Sequence, residues 1–230
     1  MLLLFDVDGT LLSGATDAHR DAMHEALHRV HGIDARDLRS GISTAGRTDG
    51  EIARLLSLGA GVSARRIDER ADAVREATCS AYARLCPADL SFTVLAGIPE
   101  LLEWLASLPD VRLRLLTGNF EPVARLKLAR AGIGHWFARG HGAFGSDSED
   151  RTALPMIARR REGRPGAPYP RERTLVIGDT PRDIACARAD DVRCAAVATG
   201  RYSLAELGDA DLTAADAHGL REVLAPLLGA

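Results

Sequence analysis

Asp6 and Asp8 occupy alternate positions directly after Met1-Leu2-Leu3-Leu4-Phe5, and Gly9 and Thr10 follow them. Two acidic groups this close repel unless a cation sits between them or one of them holds a proton. Three further polar clusters carry complementary chemistry: Thr117-Gly118-Asn119, Arg151, and the pair Asp179 and Asp183. Carboxylates suit a hard cation, whereas a hydroxyl, backbone N–H groups and a guanidinium suit an anion. Mg²⁺ in particular prefers a few carboxylates, waters and a substrate phosphate. Together these residue types point to phosphoryl transfer. Residues 1–10 taken alone also read as an acidic turn closing a strand.

These clusters can act together only if the fold brings them to one place. The apolar run before Asp6 reads as a strand buried on both faces, as in a parallel sheet. Residues 111–116 and 173–178 read the same way and end at Thr117 and Asp179. Weaker strands are expected at 141–145, 194–198 and 210–212, with helices at 99–108, 122–131, 152–161, 181–189 and 220–228. Strands alternating with helices predict an α/β fold with a doubly wound parallel sheet. Strand C-terminal ends line one edge of such a sheet, and ligands bind there.

One stretch breaks the alternation. Helical spacing over 16–31, 48–58 and 63–85 leaves no strand between residues 14 and 92. Thr48 to Glu51 has the spacing of a capping box, and Pro87 closes the third helix. Residues 1–13 and 93–230 are therefore expected to form the α/β core, and 14–92 an inserted helical module.

Asp6-Val7-Asp8-Gly9-Thr10 resembles the first motif of the haloacid dehalogenase superfamily. Leu115-Leu116-Thr117-Gly118-Asn119 looks like its second motif, and Gly178-Asp179-Thr180-Pro181-Arg182-Asp183 like its fourth. The helical module falls where that family places a helical cap of the type found in phosphoglycolate phosphatase-like enzymes. The resemblance implies Asp6 as nucleophile forming an aspartyl-phosphate, and Asp8 as general acid and then base. It implies Thr117, with Gly118 and Asn119, holding the phosphoryl group. It also implies Mg²⁺ held by Asp6, the carbonyl of Asp8, Asp179 and Asp183.

The family's third motif usually carries a Lys, and none stands in that region. Lys127 is the only Lys after Thr117, and it lies inside the helix after the second motif. Arg151 fills the third-motif position, and a guanidinium binds phosphate well. Arg151 could instead pair locally with Glu149 or Asp150. Within the expected cap, Ser40-Gly41-Ile42-Ser43-Thr44-Ala45-Gly46-Arg47 reads as a loop of mostly small residues. Arg47 and Thr48, at the helix start after it, resemble the substrate-specificity loop, although capping alone accounts for Thr48.

The resemblance implies a phosphatase. A phosphomutase uses the same pair of aspartates, a dehalogenase needs neither Mg²⁺ nor a second aspartate, and a catalytically silent domain would not need this full set. The spacing of His24, His28 and His31 reads as a solvated helix face rather than a metal site. The arginines at 159–161, 164, 171 and 173, interrupted by Glu162 and Glu172, read as a solvated loop.

The 230 residues are 46% hydrophobic and 27% charged, the composition of a folded globular chain. A net charge of −3 gives no general attraction to nucleic acid or anionic lipid. No apolar run is long enough to span a membrane, and the leucines at the start lack the basic leader of a signal peptide. Cys79, Cys86, Cys186 and Cys194 form no CxxC pair and read as free thiols. A cytoplasmic protein is expected. Oligomeric state has no signature in the sequence.

Overall fold

The computed structural model describes residues 1–36 and 42–230. Ser40 and Gly41 of the small-residue loop lie outside the described residues. Six parallel strands form one sheet in the order β3-β2-β1-β4-β5-β6. They are β1 Leu2–Phe5, β2 Arg112–Thr117, β3 Ala143–Phe144, β4 Thr174–Gly178, β5 Arg193–Val197 and β6 Leu212–Ala214.

β1 is central, with Phe5 level with Leu115 of β2 on one side and Ile177 of β4 on the other. Its side chains alternate between two cores. Leu3 and Phe5 join one cluster, with α4 (Ile98–Ser107), α5 (Glu121–Arg130) and α8 (Ala217–Leu228). Leu2 and Leu4 join the other, with α6 (Leu154–Glu162) and α7 (Pro181–Ala189). Each fully buried Leu or Phe is worth about 1.5–3 kcal/mol, so neither face of β1 has room for a polar residue. Helices cover both sheet faces, which makes the expected doubly wound α/β architecture.

The described chain between β1 and α4 is helical: α1 Asp17–His31, α2 Asp49–Gly59 and α3 Ala64–Leu85, followed by a short 3₁₀ turn. These helices have their own apolar cluster, including Met23, Leu27, Leu56, Val74 and Tyr82. Phe120 and Val123, at the start of α5, carry that cluster onto the α/β core. Gly32 ends α1 in the left-handed conformation. Ser63 caps α3, its side chain accepting from the Arg66 N–H.

Three local expectations are corrected. The helix expected from Thr152 begins as a 3₁₀ turn over Arg151–Ala153 and becomes α-helical at Leu154, with Pro155 in its first turn. The last helix starts at Ala217, capped by Asp216, and the weak strand moves to Leu212–Ala214 because Asp211 instead accepts from the Cys194 N–H. The arginine segment is a solvated loop only in part: Arg160, Arg164 and Arg173 are exposed, but residues 159–161 lie on α6 and three of the arginines have acidic partners. Arg159 is buried against Asp190, Arg171 joins the same carboxylate, and Arg161 forks onto Asp147. Acidic partners far away in the chain supply what neighbours in sequence did not. All four cysteines are free, and no described helix is long and apolar enough to cross a membrane.

Candidate active site

The ends of β1, β2 and β4 and the start of α7 meet at one edge of the sheet. The Asp6 N–H donates to the Ile177 carbonyl at 2.9 Å, extending the ladder one residue past β1 and fixing the Asp6 backbone. The chain then turns tightly, with the Gly9 N–H on the Leu12 carbonyl at 2.7 Å. Gly9 has φ +91°, and a Cβ there would stand 2.2 Å from Asp179 Oδ2. Only glycine fits both the turn and its carboxylate neighbour.

Asp179 follows β4, and Thr10 Oγ1 lies 3.3 Å from its Oδ1. Asp183 sits in the first turn of α7 in a closed capping box: the Thr180 N–H and hydroxyl both donate to Asp183 Oδ2, at 3.0 and 2.7 Å. Its other oxygen accepts from Arg151 Nη2. That same Nη2 lies 3.4 Å from Asp6 Oδ2. Arg151 thus pairs with Asp183 and Asp6 rather than with its chain neighbours. Its Nε is buried and has no partner.

Asp6, Asp179 and Asp183 are all buried, and each offers an oxygen within 4.8 Å of the others. Among the described residues they form the one such group, and the α1 histidines are not part of it. Burial pushes the Asp6 carboxyl up to about 6, with Arg151 opposing and Asp183 adding. Burial together with the charges of Asp6 and Asp183 pushes Asp179 up to about 8. Buried carboxylates crowded this way match the donor set of a hard divalent cation, whose charge would offset their repulsion.

Asp8 has opposite surroundings. Lys127 Nζ donates to both its oxygens, at 2.9 and 2.7 Å, and Asn119 Nδ2 donates to Oδ2 at 2.8 Å. Burial is the largest influence and pushes this carboxyl up, but Lys127, the Asn119 amide and His19 together hold it below its ordinary value. Asn119 also donates to Thr117 Oγ1 at 2.8 Å, so the end of β2 and the turn after β1 share one network.

The helical segment lies over this edge. Thr48 Oγ1 donates to the Glu149 carbonyl at 2.6 Å and accepts the Glu51 N–H at 3.1 Å. The Glu51 carboxylate goes to Arg47 instead of closing the expected capping box. The Asp49 N–H donates to the Gly118 carbonyl at 2.8 Å, while its Oδ2 accepts the Phe120 N–H at 2.7 Å and lies 3.0 Å from His19 Nε2. A Cβ on Gly118 would stand 2.1 Å from the Arg47 carbonyl, so this approach requires glycine. A cavity of about 280 Å³ opens between the two layers. Asp6, Asp8, Thr117, Gly118, Asn119, Arg151 and Arg47 line it, together with His19, Arg20, Met23, Asp49 and Ile52. Thr48, Asp179 and Asp183 stand outside the lining.

Lys127 and His19 carry no assigned role in the sequence reading, and Asp49 enters it only as the last residue of the stretch Gly46-Arg47-Thr48-Asp49 that resembles the substrate-specificity loop. Lys127 falls on the buried stripe of α5 with Val123, Ala124 and Leu128, and a lysine on an apolar stripe was the available signal. Asp49 read as a first-turn residue of α2, and His19 carried no signal of its own.

The geometry has wide parallels among known folds. A predicted phosphatase from Clostridium acetobutylicum matches with TM-score 0.70 at 18% identity over 98% of each chain. A hydrolase from Pseudomonas syringae matches with TM-score 0.65 at 24% identity over 99% of each chain. A beta-phosphoglucomutase from Clostridium difficile matches with TM-score 0.65 at 18% identity, over 99% of this chain and 96% of that one. At these identities the likeness speaks for the fold. No curated protein sequence matches the chain. Residues 1–189 match the model for haloacid dehalogenase-like hydrolases, and the chain belongs to that family.

Proposed function

We propose that this hydrolase is a Mg²⁺-dependent phosphatase of a small phosphorylated metabolite, working through an aspartyl-phosphate on Asp6. The observation that carries the reading is the convergence of Asp6, Asp179, Asp183 and Arg151 beside Thr117 at one sheet edge. Asp6, the Asp8 carbonyl and Asp179 would hold Mg²⁺, with Asp183 joining them or steadying Arg151. When bound, the ion would cancel the repulsion between these carboxylates and a phosphate dianion.

The chain's own residues then divide the work. Arg151, whose Nε is unpartnered, and the Thr117 hydroxyl, which accepts from Asn119 and still has its own proton to donate, would hold a phosphoryl group at this edge, with Asn119 orienting Thr117. An Asp6 oxygen attacks phosphorus and the bond to the leaving-group oxygen breaks. Asp8 delivers its proton to that oxygen; it enters this step protonated, a form that a phosphate dianion alongside favours. In the second step Asp8, now ionised and paired with Lys127 as in this structure, takes a proton from the water that attacks the phosphoryl group. Asp6 is released with inorganic phosphate. General acid–base assistance of this kind is worth about 10²–10⁴ in rate.

Residues 14–92 act as a cap in this reading, with Arg47 facing the leaving group. Thr48 ties cap to core, since both roles of its hydroxyl are already used. The cavity's size suits a small leaving group. The free thiols favour a cytoplasmic setting. A panel of phosphorylated metabolites, assayed for inorganic phosphate with Mg²⁺ and with EDTA, tests the reading. Release on several alkyl phosphates that EDTA stops is the expected result. Isomer formation from a hexose phosphate without phosphate release would assign a mutase instead, and turnover that survives EDTA would contradict the metal role.

A further inference from the structure

Lys127 is 0% exposed, and it stands on an α5 stripe whose other members are Val123, Ala124 and Leu128. A buried ammonium is destabilising by several kcal/mol unless it is paired and hydrogen-bonded. Lys127 meets that demand fully. Its three N–H donors face Asp8 Oδ1, Asp8 Oδ2 and Asn119 Oδ1, at 2.9, 2.7 and 2.9 Å. Asn119 turns its amide onto Asp8 Oδ2 and Thr117 Oγ1. The carboxylate of Asp8 is therefore gripped by three donors from one side, while its remaining surface faces the cavity. Lys127 is absent from the cavity wall, so whatever it does there it does through Asp8.

The grip matters because of what stands two residues away. Asp6, Asp179 and Asp183 already crowd their oxygens within 4.8 Å, and Arg151 is committed to Asp6 and Asp183. A free Asp8 carboxyl would be open to the same cation and guanidinium. Lys127 stands on α5, the helix after β2, and none of its three N–H groups goes to Asp6, Asp179 or Asp183, so it holds Asp8 and no member of that cluster. We propose that Lys127 is a positioning residue that keeps Asp8 out of the carboxylate cluster and aimed at the leaving-group oxygen. This inference rests on the phosphatase reading and adds to it a residue outside the four motifs.

A residue that acts only through Asp8 should matter most when the leaving group needs a proton. Phosphorylation of Asp6 by p-nitrophenyl phosphate expels a stable phenolate and needs little acid assistance. An alkyl phosphate expels a poor leaving group and needs it fully. The test compares kcat/KM for p-nitrophenyl phosphate and for the alkyl phosphate of the panel that the wild type hydrolyses fastest, in wild type, Lys127→Met, Lys127→Arg and Asp8→Asn. Lys127→Met is expected to lose about 10²-fold on the alkyl ester and less than about 5-fold on the aryl ester. Lys127→Arg should recover part of the alkyl rate, and Lys127→Met added to Asp8→Asn should cost nothing further. Circular dichroism and Tm establish that each variant folds; if Lys127→Met does not, Lys127→Gln takes its place in the comparison. Equal losses on both esters, or additive losses in the double variant, would overturn the positioning role. A wild type that releases no phosphate from any ester would instead overturn the phosphatase reading beneath it.

Discussion

Asp6 and Asp8 stand two residues apart on one turn, yet the molecule treats them as opposites. Around Asp6 it gathers two more carboxylates and a single shared guanidinium, and burial raises Asp6 and Asp179 well above the ordinary 3.8. Around Asp8 it places a lysine ammonium and an amide that favour the ionised form. The first region crowds carboxyls whose ionised forms repel, and a divalent cation would stabilise those forms. The second pairs Asp8 within the protein with Lys127 and Asn119, and in the proposed reaction Asp8 moves the proton. Neighbouring groups pushed in opposite directions are the usual mark of divided chemical labour.

The sharpest way to break the contrast is to neutralise one side at a time. Asp6→Asn should lower phosphate release from an aryl phosphate by more than about 10³-fold with the fold intact, because the proposed reaction runs through a phosphoryl bond to the Asp6 carboxylate. Turnover within about tenfold of wild type would remove Asp6 from the nucleophile role. Arg151→Met should cost about 10²–10³ in kcat/KM, the range for removing one charge-stabilising donor. Arg151→Lys should recover less than half of that loss in free energy, since a single ammonium cannot serve Asp183, Asp6 and a phosphate in the fork geometry. Full rescue by lysine would mean that charge alone matters there.

The two regions should also respond to pH with opposite sign. Asp6 and Asp179 bind protons more tightly folded than unfolded, so their contribution to stability is complete below about pH 4 and is lost as pH rises through about 6 and 8. Asp8 is depressed, so its contribution is present above its ordinary value and is lost as pH falls below it. A cation must displace the protons on the first cluster. The gain in Tm on adding Mg²⁺ is therefore expected to widen steadily between pH 5 and pH 8, by thermal melts with Mg²⁺ and with EDTA. A gain independent of pH would place the ion elsewhere. The smallest effect is expected at the cap. Thr48→Val removes an N-cap and the tie to Glu149, which should lower stability by about 1 kcal/mol. KM should change more than kcat if that tie governs how the helical layer meets the substrate.

Much of the Asp6 region is legible in the sequence, because buried strands deliver residues to one edge by topology. The runs before Asp6, Thr117 and Asp179 read as strands, and Asp183 comes with the resemblance to the family's fourth motif. The cations were harder. Arg151 was suspected by type, but its near neighbours Glu149 and Asp150 were the obvious partners. The structure gives Glu149 to Arg54 and turns Asp150 onto Thr152, leaving Arg151 for Asp183 and Asp6. Lys127 pairs with a carboxylate 119 positions away, and no periodicity encodes that distance. The same holds for His19 and Asp49, whose roles exist only where the helical layer meets the β2 end.

The claim on which all of this turns is that Asp6 itself receives the phosphoryl group. The direct measurement is acid quench of the wild type during turnover of p-nitrophenyl phosphate with Mg²⁺, followed by proteolysis and peptide mass spectrometry. The peptide that contains Asp6 is predicted to carry one phosphoryl group, lost on mild base and absent from Asp6→Asn. Phosphate release at full rate with no phosphoryl on that peptide, or with one on another residue, would contradict the account.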